Sequence, residues 1–243
     1  MIRINAGAAL MLVCSALRAQ PGVLVLNETN APPYSNAERT GFFDVVAAEA
    51  FRRAKLDLRI VTVPAGRSLL LSDSGAADGE LNRNPAIEKL YPNLVRVPEA
   101  LGEMTFVAFG RGGSIPANFD AFRGRAVGLL RGWKIYERAM AGRDDVIAAS
   151  DLDQLFRLLQ FERIDVALYE RDMGRAYLRA HAIGSVRDLE PPLFVLDEFI
   201  YLHKSRAALV PALTAALRSM KRDGAYQRAY RERFQPGGDE PPR

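Results

Sequence analysis

Arginine residues beside short apolar segments are the strongest candidates for chemistry in this sequence. Arg83 follows a predicted strand that ends near Leu81, and Arg67 stands at the start of a short predicted helix. A guanidinium group can bind a carboxylate through two parallel hydrogen bonds. Arg131-Gly132-Trp133 lies at a predicted strand–helix junction, where backbone N–H groups could bind an anion and Trp133 could pack against its apolar part. Arg83 and Arg67 could also be solvated surface residues, because exposed arginines are common.

The residue types that several other chemistries need are scarce. The chain has two histidines, His181 and His203, and one cysteine, Cys14. No HExxH motif is present, so we predict no metal site, no cofactor and no catalytic residue. The absence of GxSxG disfavours a hydrolase. The glycines at 110–113 lack the Lys-Ser/Thr ending of a phosphate loop, which favours a connector.

The first nineteen residues are typical of a secretory signal peptide. Arg3 gives a basic start, an apolar stretch runs from Ala6 to Leu17, and small residues precede Gln20. The apolar stretch is too short to span a bilayer, which favours a cleaved leader over a first helix of the fold. Val13 before Cys14 disfavours a lipid anchor. We therefore predict a periplasmic protein without cysteine, stabilised by its core.

Length and charge limit the class further. About 220 residues would remain, enough for one large domain or for two lobes of about 100 residues each. Removing Arg3 and Arg18 with the leader would leave 31 basic and 29 acidic residues, a net charge of +2. The basic residues are scattered among acidic ones, so no nucleic-acid surface is indicated. We predict a monomer with a small-molecule ligand.

Strands and helices alternate in two successive runs, which predicts an α/β fold with a parallel or mixed sheet. The first run comprises strands at 23–27, 56–63 and 78–81, with a helix after Gly41 and a short one at 68–72. The second comprises strands at 125–130, 146–149 and 164–169, with helices to about Ala141 and after Ser150. Ser150 is predicted to cap the latter helix, with Asp153 reaching back to form a capping box. Two lobes of related architecture are expected.

The last third of the chain breaks this alternation. Pro191-Pro192 leads into an apolar segment, Leu193–Leu202, followed by an amphipathic helix around 209–220 and a last helix to about Phe234. Met104–Phe109 and Leu193–Leu202 are predicted to cross between the lobes. We therefore predict a signal peptide at 1–19, lobe I at 20–108 plus 198–235, lobe II at 109–197, and a disordered tail at 236–243.

Five short motifs in order resemble those of the family 3 extracellular solute-binding proteins. They are Ala31-Pro32-Pro33-Tyr34-Ser35 with Gly41-Phe42-Phe43-Asp44-Val45, Gly75-Ala76-Ala77-Asp78-Gly79, Phe122-Arg123-Gly124-Arg125-Ala126-Val127-Gly128, Arg163-Ile164-Asp165-Val166-Ala167-Leu168, and the segment from Leu209 to Tyr230 with Asp223-Gly224 between its helices. The resemblance implies the type 2 periplasmic binding fold, with two α/β lobes, two hinge crossings and closure around a ligand. It also implies delivery of an amino acid or related zwitterion to an ABC importer or a membrane sensor kinase.

The resemblance adds site residues to those above. Glu170 stands where amino-acid binders of the family carry the acid that binds the ligand ammonium, and Tyr34 is expected to form an aromatic wall. Tyr34 could equally be a core aromatic with its hydroxyl at the surface. The family's carboxylate-binding arginine is not at its usual place after Asp78, so Arg83 and Arg67 are both candidates. We expect Asp78 and Asp165 to satisfy backbone groups at strand starts.

The alternative function is enzymatic. The same fold resembles cyclohexadienyl dehydratases, which expel water from a ring. In that case Glu170 or Glu80 would serve as the acid, with burial raising its pKa.

Overall fold

A computed structural model describes residues 22–112 and 115–234 of the 243-residue chain. The predicted leader at 1–19 and the predicted tail at 236–243 lie outside these ranges. The first elements are β1 Leu24–Glu28, α1 Phe42–Arg53, β2 Leu58–Thr62, α2 Ala65–Asp73, β3 Gly79–Arg83, β4 Leu94–Arg96 and β5 Gly102–Gly110. They are followed by β6 Val127–Leu130, α3 Lys134–Ala139, β7 Val146–Ala149, α4 Leu152–Gln160, β8 Val166–Glu170, α5 Arg171–Ala180, β9 Arg187–His203, α6 Val210–Arg222 and α7 Ala225–Phe234.

The strands form one mixed sheet in the order β2-β1-β3-β9-β5-β8-β6-β7, with β4 also paired to β9. Strands β1, β2 and β3 are parallel and form the first sheet half. Strands β6, β7 and β8 are likewise parallel and form the second sheet half. Strands β6 and β8 are buried along their whole length, as expected for parallel strands covered on both faces. The predicted α/β class is confirmed.

Two long antiparallel strands, β5 and β9, join the halves and are called the ribbon below. One end of β9 pairs with β3 and β4, and the rest pairs with β5. Strand β5 in turn pairs with β8. The two segments predicted to cross between lobes therefore lie within these strands.

Register along the ribbon shows how the halves are oriented. Strand β3 ends at Arg83, opposite Phe199 of β9, while β8 ends at Glu170, opposite Phe106 of β5. Phe106 is paired in turn with Phe194, five residues from Phe199. At about 3.4 Å per residue this is about 17 Å of ribbon. The carboxyl ends of the two parallel strand sets therefore face each other across the ribbon.

Helices cover the sheet with the predicted apolar stripes. Helix α1 buries Phe43, Val46 and Ala50 completely. Helix α7 packs on α1 through aromatic edges, with Phe42 5.3 Å from Tyr226 and 5.4 Å from Phe234 between ring centroids. The end of the chain thus stabilises its first helix.

Two aspartates fasten parallel strands, which confirms their predicted structural role. Asp78, just before β3, accepts a hydrogen bond from the N–H of Val25 in β1 at 2.8 Å. Asp165, just before β8, accepts one from the N–H of Ala126, just before β6, at 2.9 Å. Each sheet half therefore has an aspartate that accepts a backbone hydrogen bond at the start of its parallel strands.

One prediction of local structure is wrong, and one strand is longer than the apolar segment predicted to cross between the lobes. Strand β9 starts at Arg187 and includes Pro191-Pro192. The prolines lie where the β5–β9 register shifts, so no ladder N–H is required of them. Helix α4 is capped by Asp151 rather than Ser150, because Asp151 accepts from the N–H of Gln154 at 2.8 Å. Asp153 does not complete a capping box but pairs with an arginine one turn further on.

Within residues 22–112 and 115–234, no helix is long and apolar enough to cross a membrane. The same residues contain no group of three histidine, cysteine, aspartate or glutamate side chains placed to hold a metal ion.

Candidate functional site

Ligands of open α/β sheets bind outside the carboxyl ends of the parallel strands. In this protein two such edges face each other across the ribbon, and the space between them is called the cleft below. The first edge includes the start of α2 and the end of β3. The second includes the end of β6 with the start of α3, and the end of β8 with the start of α5.

Arg83 is held by a buried carboxylate at the first edge. Its Nη2 lies 2.6 Å from Oε2 of Glu80, which is fully buried, and 3.2 Å from Oγ of Ser68. Ser72 also donates to Glu80, at 2.6 Å. The Arg83 side chain is 14% exposed, and its buried Nε has no hydrogen-bond partner among the described residues. Arg83 is thus a largely neutralised cation with one buried donor that has no partner among the described residues.

A second buried acid lies beside Arg83. Glu198 of β9 is almost fully buried, and burial raises its pKa to about 7 although the charge of Arg83 acts in the opposite direction. Glu80, Arg83 and Glu198 therefore form a compact cluster where β3 meets the ribbon.

Arg67 lies in the first turn of α2, directly before Ser68. Ser68 contacts both Glu80 and Arg83, so this turn is at the same edge as the end of β3. Arg67 is exposed, and in the described part of the chain its side chain has no ion pair or hydrogen bond. Among the described residues, it is thus a cation without a partner, beside the cleft.

The second edge places Arg131 directly after β6. Its side chain is exposed and, within the described ranges, makes no ion pair or hydrogen bond. The prediction that the backbone here donates to an anion is not supported. The N–H groups of Arg131, Gly132 and Trp133 donate to Ala149, Glu137 and Leu130, respectively.

Trp133 is the aromatic residue at this edge. It is half-buried, with its ring centroid 4.5 Å from that of Tyr169 and 6.1 Å from that of Phe106 on the ribbon. This packing fixes the indole where β6, β8 and the ribbon meet. An apolar surface for a ligand is available there.

Glu170 ends β8 and caps α5. Its side chain is fully buried and accepts hydrogen bonds from the N–H of Met173 at 2.8 Å and the N–H of Thr105 at 3.2 Å. Burial raises the pKa of Glu170 to about 7, and these hydrogen bonds only partly offset that rise. The residue is thus less acidic than an ordinary glutamate.

Tyr34 connects the two sheet halves. Its hydroxyl lies 3.0 Å from Oε1 of Glu170 and 3.0 Å from Oδ2 of Asp172. The ring stacks on Phe43 at 4.8 Å and contacts Phe234 at 5.2 Å. Only 2% of Tyr34 is exposed, so the residue belongs to the core and does not form an aromatic wall.

Sequence reasoning missed three participants, namely Ser68, Asp172 and Glu198. Asp172 meets Tyr34 from 138 positions away in the chain, and no local pattern indicates such a contact. Glu198 lies inside an apolar segment, and the adjacent acids Asp197 and Glu198 in such a run were the available signal.

The structure groups the predicted residues unevenly. It brings Arg67 and Arg83 to one edge, and Arg131 with Trp133 to the facing edge. It joins Tyr34 to Glu170 directly. It does not bring either candidate arginine into contact with Glu170.

No family model and no curated protein matches this sequence. Solved structures do match. A histidine kinase sensor domain with similarity to periplasmic binding proteins superposes with a TM-score of 0.71 at 19% identity, covering 92% of this chain and all of that one. An ancestral arginine-binding protein bound to glutamine gives 0.67 at 18% identity, covering 88% and 98%. The GluR0 ligand-binding core from Nostoc punctiforme, in complex with L-glutamate, gives 0.69 at 16% identity, covering 89% and 100%.

These matches confirm the predicted two-lobed periplasmic-binding-protein fold over nearly all the described chain. The matched proteins are a sensor domain and two ligand-binding proteins, and none of the three is described as an enzyme.

Proposed function

We propose that the protein binds a small polar solute, an amino acid or related zwitterion, between two lobes that close around it. One observation carries the proposal: two edges of parallel strands face each other across the ribbon, and each presents an exposed arginine without a partner among the described residues. These are Arg67 on one side and Arg131 on the other. In this fold class, a hinge between two lobes closes over the bound molecule.

The ribbon supports the predicted lobe boundaries. In the proposal, lobe I comprises residues 20–108 plus 198–235, and lobe II comprises residues 109–197. Residues 194–198 of β9 paired with 102–106 of β5 would form the hinge between them. The two strands are continuous through this region, so bending of the ribbon can change the cleft width without breaking either lobe.

The biological role proposed is delivery of the solute from the periplasm to an ABC importer or to a membrane sensor kinase, with the protein acting as a monomer. The predicted leader supplies the route of export. A sensor domain and amino-acid-binding proteins of the same fold support both forms of the proposal.

The enzymatic alternative requires Glu170 or Glu80 to reach a substrate. Both side chains are fully buried, and both accept hydrogen bonds from the protein itself. Binding is therefore the function that the geometry supports best.

The proposal is tested by a thermal-shift screen of amino acids, polyamines and small carboxylates, followed by small-angle scattering with the best solute. We expect the radius of gyration to decrease at saturating solute, because closure brings the two edges together. A solute that stabilises the protein without compacting it would contradict closure. If no solute in the screen stabilises the protein, the binding function itself is contradicted.

A further inference from the structure

The charges at the two edges of the cleft are unequal, because the protein itself neutralises the acids. Glu28, at the end of β1, accepts from Arg39 at 2.8 Å and from Ser35 at 2.8 Å. Burial pushes its pKa upwards, but the hydrogen bonds from Thr62 and Arg39 outweigh burial and lower the pKa. Glu80 is paired with Arg83. Neither acid is free for a ligand cation.

Glu170, the acid predicted to bind a ligand ammonium, also has hydrogen-bond partners within the protein. The Tyr34 hydroxyl carries one hydrogen but lies 3.0 Å from a carboxylate oxygen of Glu170 and 3.0 Å from one of Asp172. It can donate to one of them only, so the other contact is favourable only if that carboxyl group donates a proton to the hydroxyl oxygen. Glu170 and Asp172 then carry one negative charge between them rather than two, and both contact the Tyr34 hydroxyl.

Several groups face this pair from neighbouring elements. Arg171 and Arg175 come from α5, Tyr230 from α7, and Tyr136 and Tyr169 from the second half of the chain. Arg171 and Arg175 are themselves paired with Asp188. The arginines beside this pair are thus engaged by a third acid, while Glu103 of the ribbon, which also acts on Tyr230, is exposed.

The remaining carboxylates at the second edge also have protein donors. Asp151 accepts from the N–H of Gln154 and from the hydroxyl of Ser150. Glu137 accepts from Gly132 and pairs with Lys134. The exposed cations Arg67 and Arg131 have no such partner within residues 22–112 and 115–234.

We propose that the cleft selects solutes with net negative charge and two anionic groups, the class of acidic amino acids and simple dicarboxylates. Arg67 binds one anionic group from the first edge and Arg131 binds the other from the facing edge. The inference rests on the proposed function and specifies the solute class. Guanidinium groups suit this role because they bind carboxylates in a fixed, two-pronged geometry.

Isothermal titration calorimetry of the purified protein with four probes tests this inference. The probes are L-glutamate, succinate, L-glutamine and L-arginine. We expect L-glutamate and succinate to bind at least about tenfold more tightly than L-glutamine, and L-arginine to bind weakest. L-Glutamine matches L-glutamate in size and carries no net charge, so the comparison isolates charge.

Variants then test the two arginines. Arg67→Gln and Arg131→Gln are each expected to weaken L-glutamate binding by about 30-fold or more, the usual effect of removing one partner of a desolvated charge pair. Arg59→Gln in β2 and Arg138→Gln in α3 are matched controls. Both arginines are exposed and, among the described residues, unpaired. The controls should change affinity by less than about twofold. All four arginines are exposed, so none of these substitutions should unfold the protein. A loss of affinity can therefore be assigned to the binding site.

Each contrary result has a distinct meaning. Tight binding of L-glutamine or L-arginine, equal to that of L-glutamate, would overturn the charge class and leave the binding function intact. Control-like affinity of both Arg67→Gln and Arg131→Gln would overturn the assignment of these arginines. Failure of all four probes to bind would overturn the class, and the proposed function would still be decided by the screen and the scattering.

Discussion

At the scale of single residues, the contact of Tyr34 with Glu170 and Asp172 is the least expected feature of the protein. The hydroxyl oxygen of Tyr34 meets two carboxylate oxygens from more than 130 positions further along the chain, and the three atoms share one hydroxyl hydrogen in the core. Burying a carboxylate disfavours its charged form, which is why the pKa of Glu170 rises to about 7. The arrangement is stable only while a proton is retained.

This leads to a prediction for stability against pH. The pKa of Glu170 is about 7 in the folded protein and 4.5 in an ordinary environment, so folding takes up a proton between these values. The contribution to the free energy of unfolding is complete below about pH 4.5 and is lost as the pH rises through 7, by an amount on the order of 2–3 kcal/mol. Glu170→Gln resembles the protonated acid, so in this variant the free energy of unfolding should fall less between pH 5 and 8.

Urea denaturation at a series of pH values measures this decline. Glu38→Gln is the control, since Glu38 is exposed and unpaired in the part of the chain that the structure describes. Its profile should follow the parent. Parallel profiles for the parent and Glu170→Gln would show that Glu170 does not retain a proton near neutrality.

At the scale of elements, the aspartates before β3 and β8 hold each parallel pair at its start. Asp165→Ala removes the acceptor for the N–H of Ala126. Since that N–H lies in a partly buried position, we expect a loss of about 1–3 kcal/mol in the free energy of unfolding. Asp144→Ala, at an exposed site, should cost less than about 0.5 kcal/mol. Equal denaturation midpoints for the two variants would contradict this role.

The elements also show what a sequence can predict. Helices α1 and α6 were predictable because their apolar residues recur at helical spacing. Helix α5 was missed although Met173, Tyr177 and Ala180 recur at helical spacing, because four of its ten residues are charged and a glycine lies within it. The edges of the cleft were predictable, since arginines follow predicted strands. Burial of Glu170 by Tyr34 was not, because the contact depends on how the two halves meet.

At the scale of the whole molecule, pairing between β3 and β9 closes the first sheet half. Gly79 approaches β9 so closely that an added Cβ would overlap the carbonyl oxygen of Tyr201. Backbone on a central strand cannot yield without breaking the pairing. We therefore expect Gly79→Ala to reduce the free energy of unfolding by about 3 kcal/mol or more, measured by thermal and urea denaturation.

A glycine with room around it serves as the control. Gly66 lies within α2, and an added Cβ would meet nothing within 4 Å. Gly66→Ala should stabilise the protein by about 0.5–1 kcal/mol, because alanine favours the helix. A Gly79→Ala variant as stable as the parent would show that β3 and β9 are not packed as closely as described.

The place of β9 in the chain has a consequence for biosynthesis. Strand β3 is complete at Arg83, but its partner β9 extends to His203. A nascent chain therefore carries β3 as an open sheet edge for about 120 residues of synthesis, a state prone to pairing with other chains. The first lobe therefore cannot complete its fold before the second lobe has been synthesised. Both lobes become complete together, only once β9 and the helices that follow it are available, and until then the edge of β3 stays open.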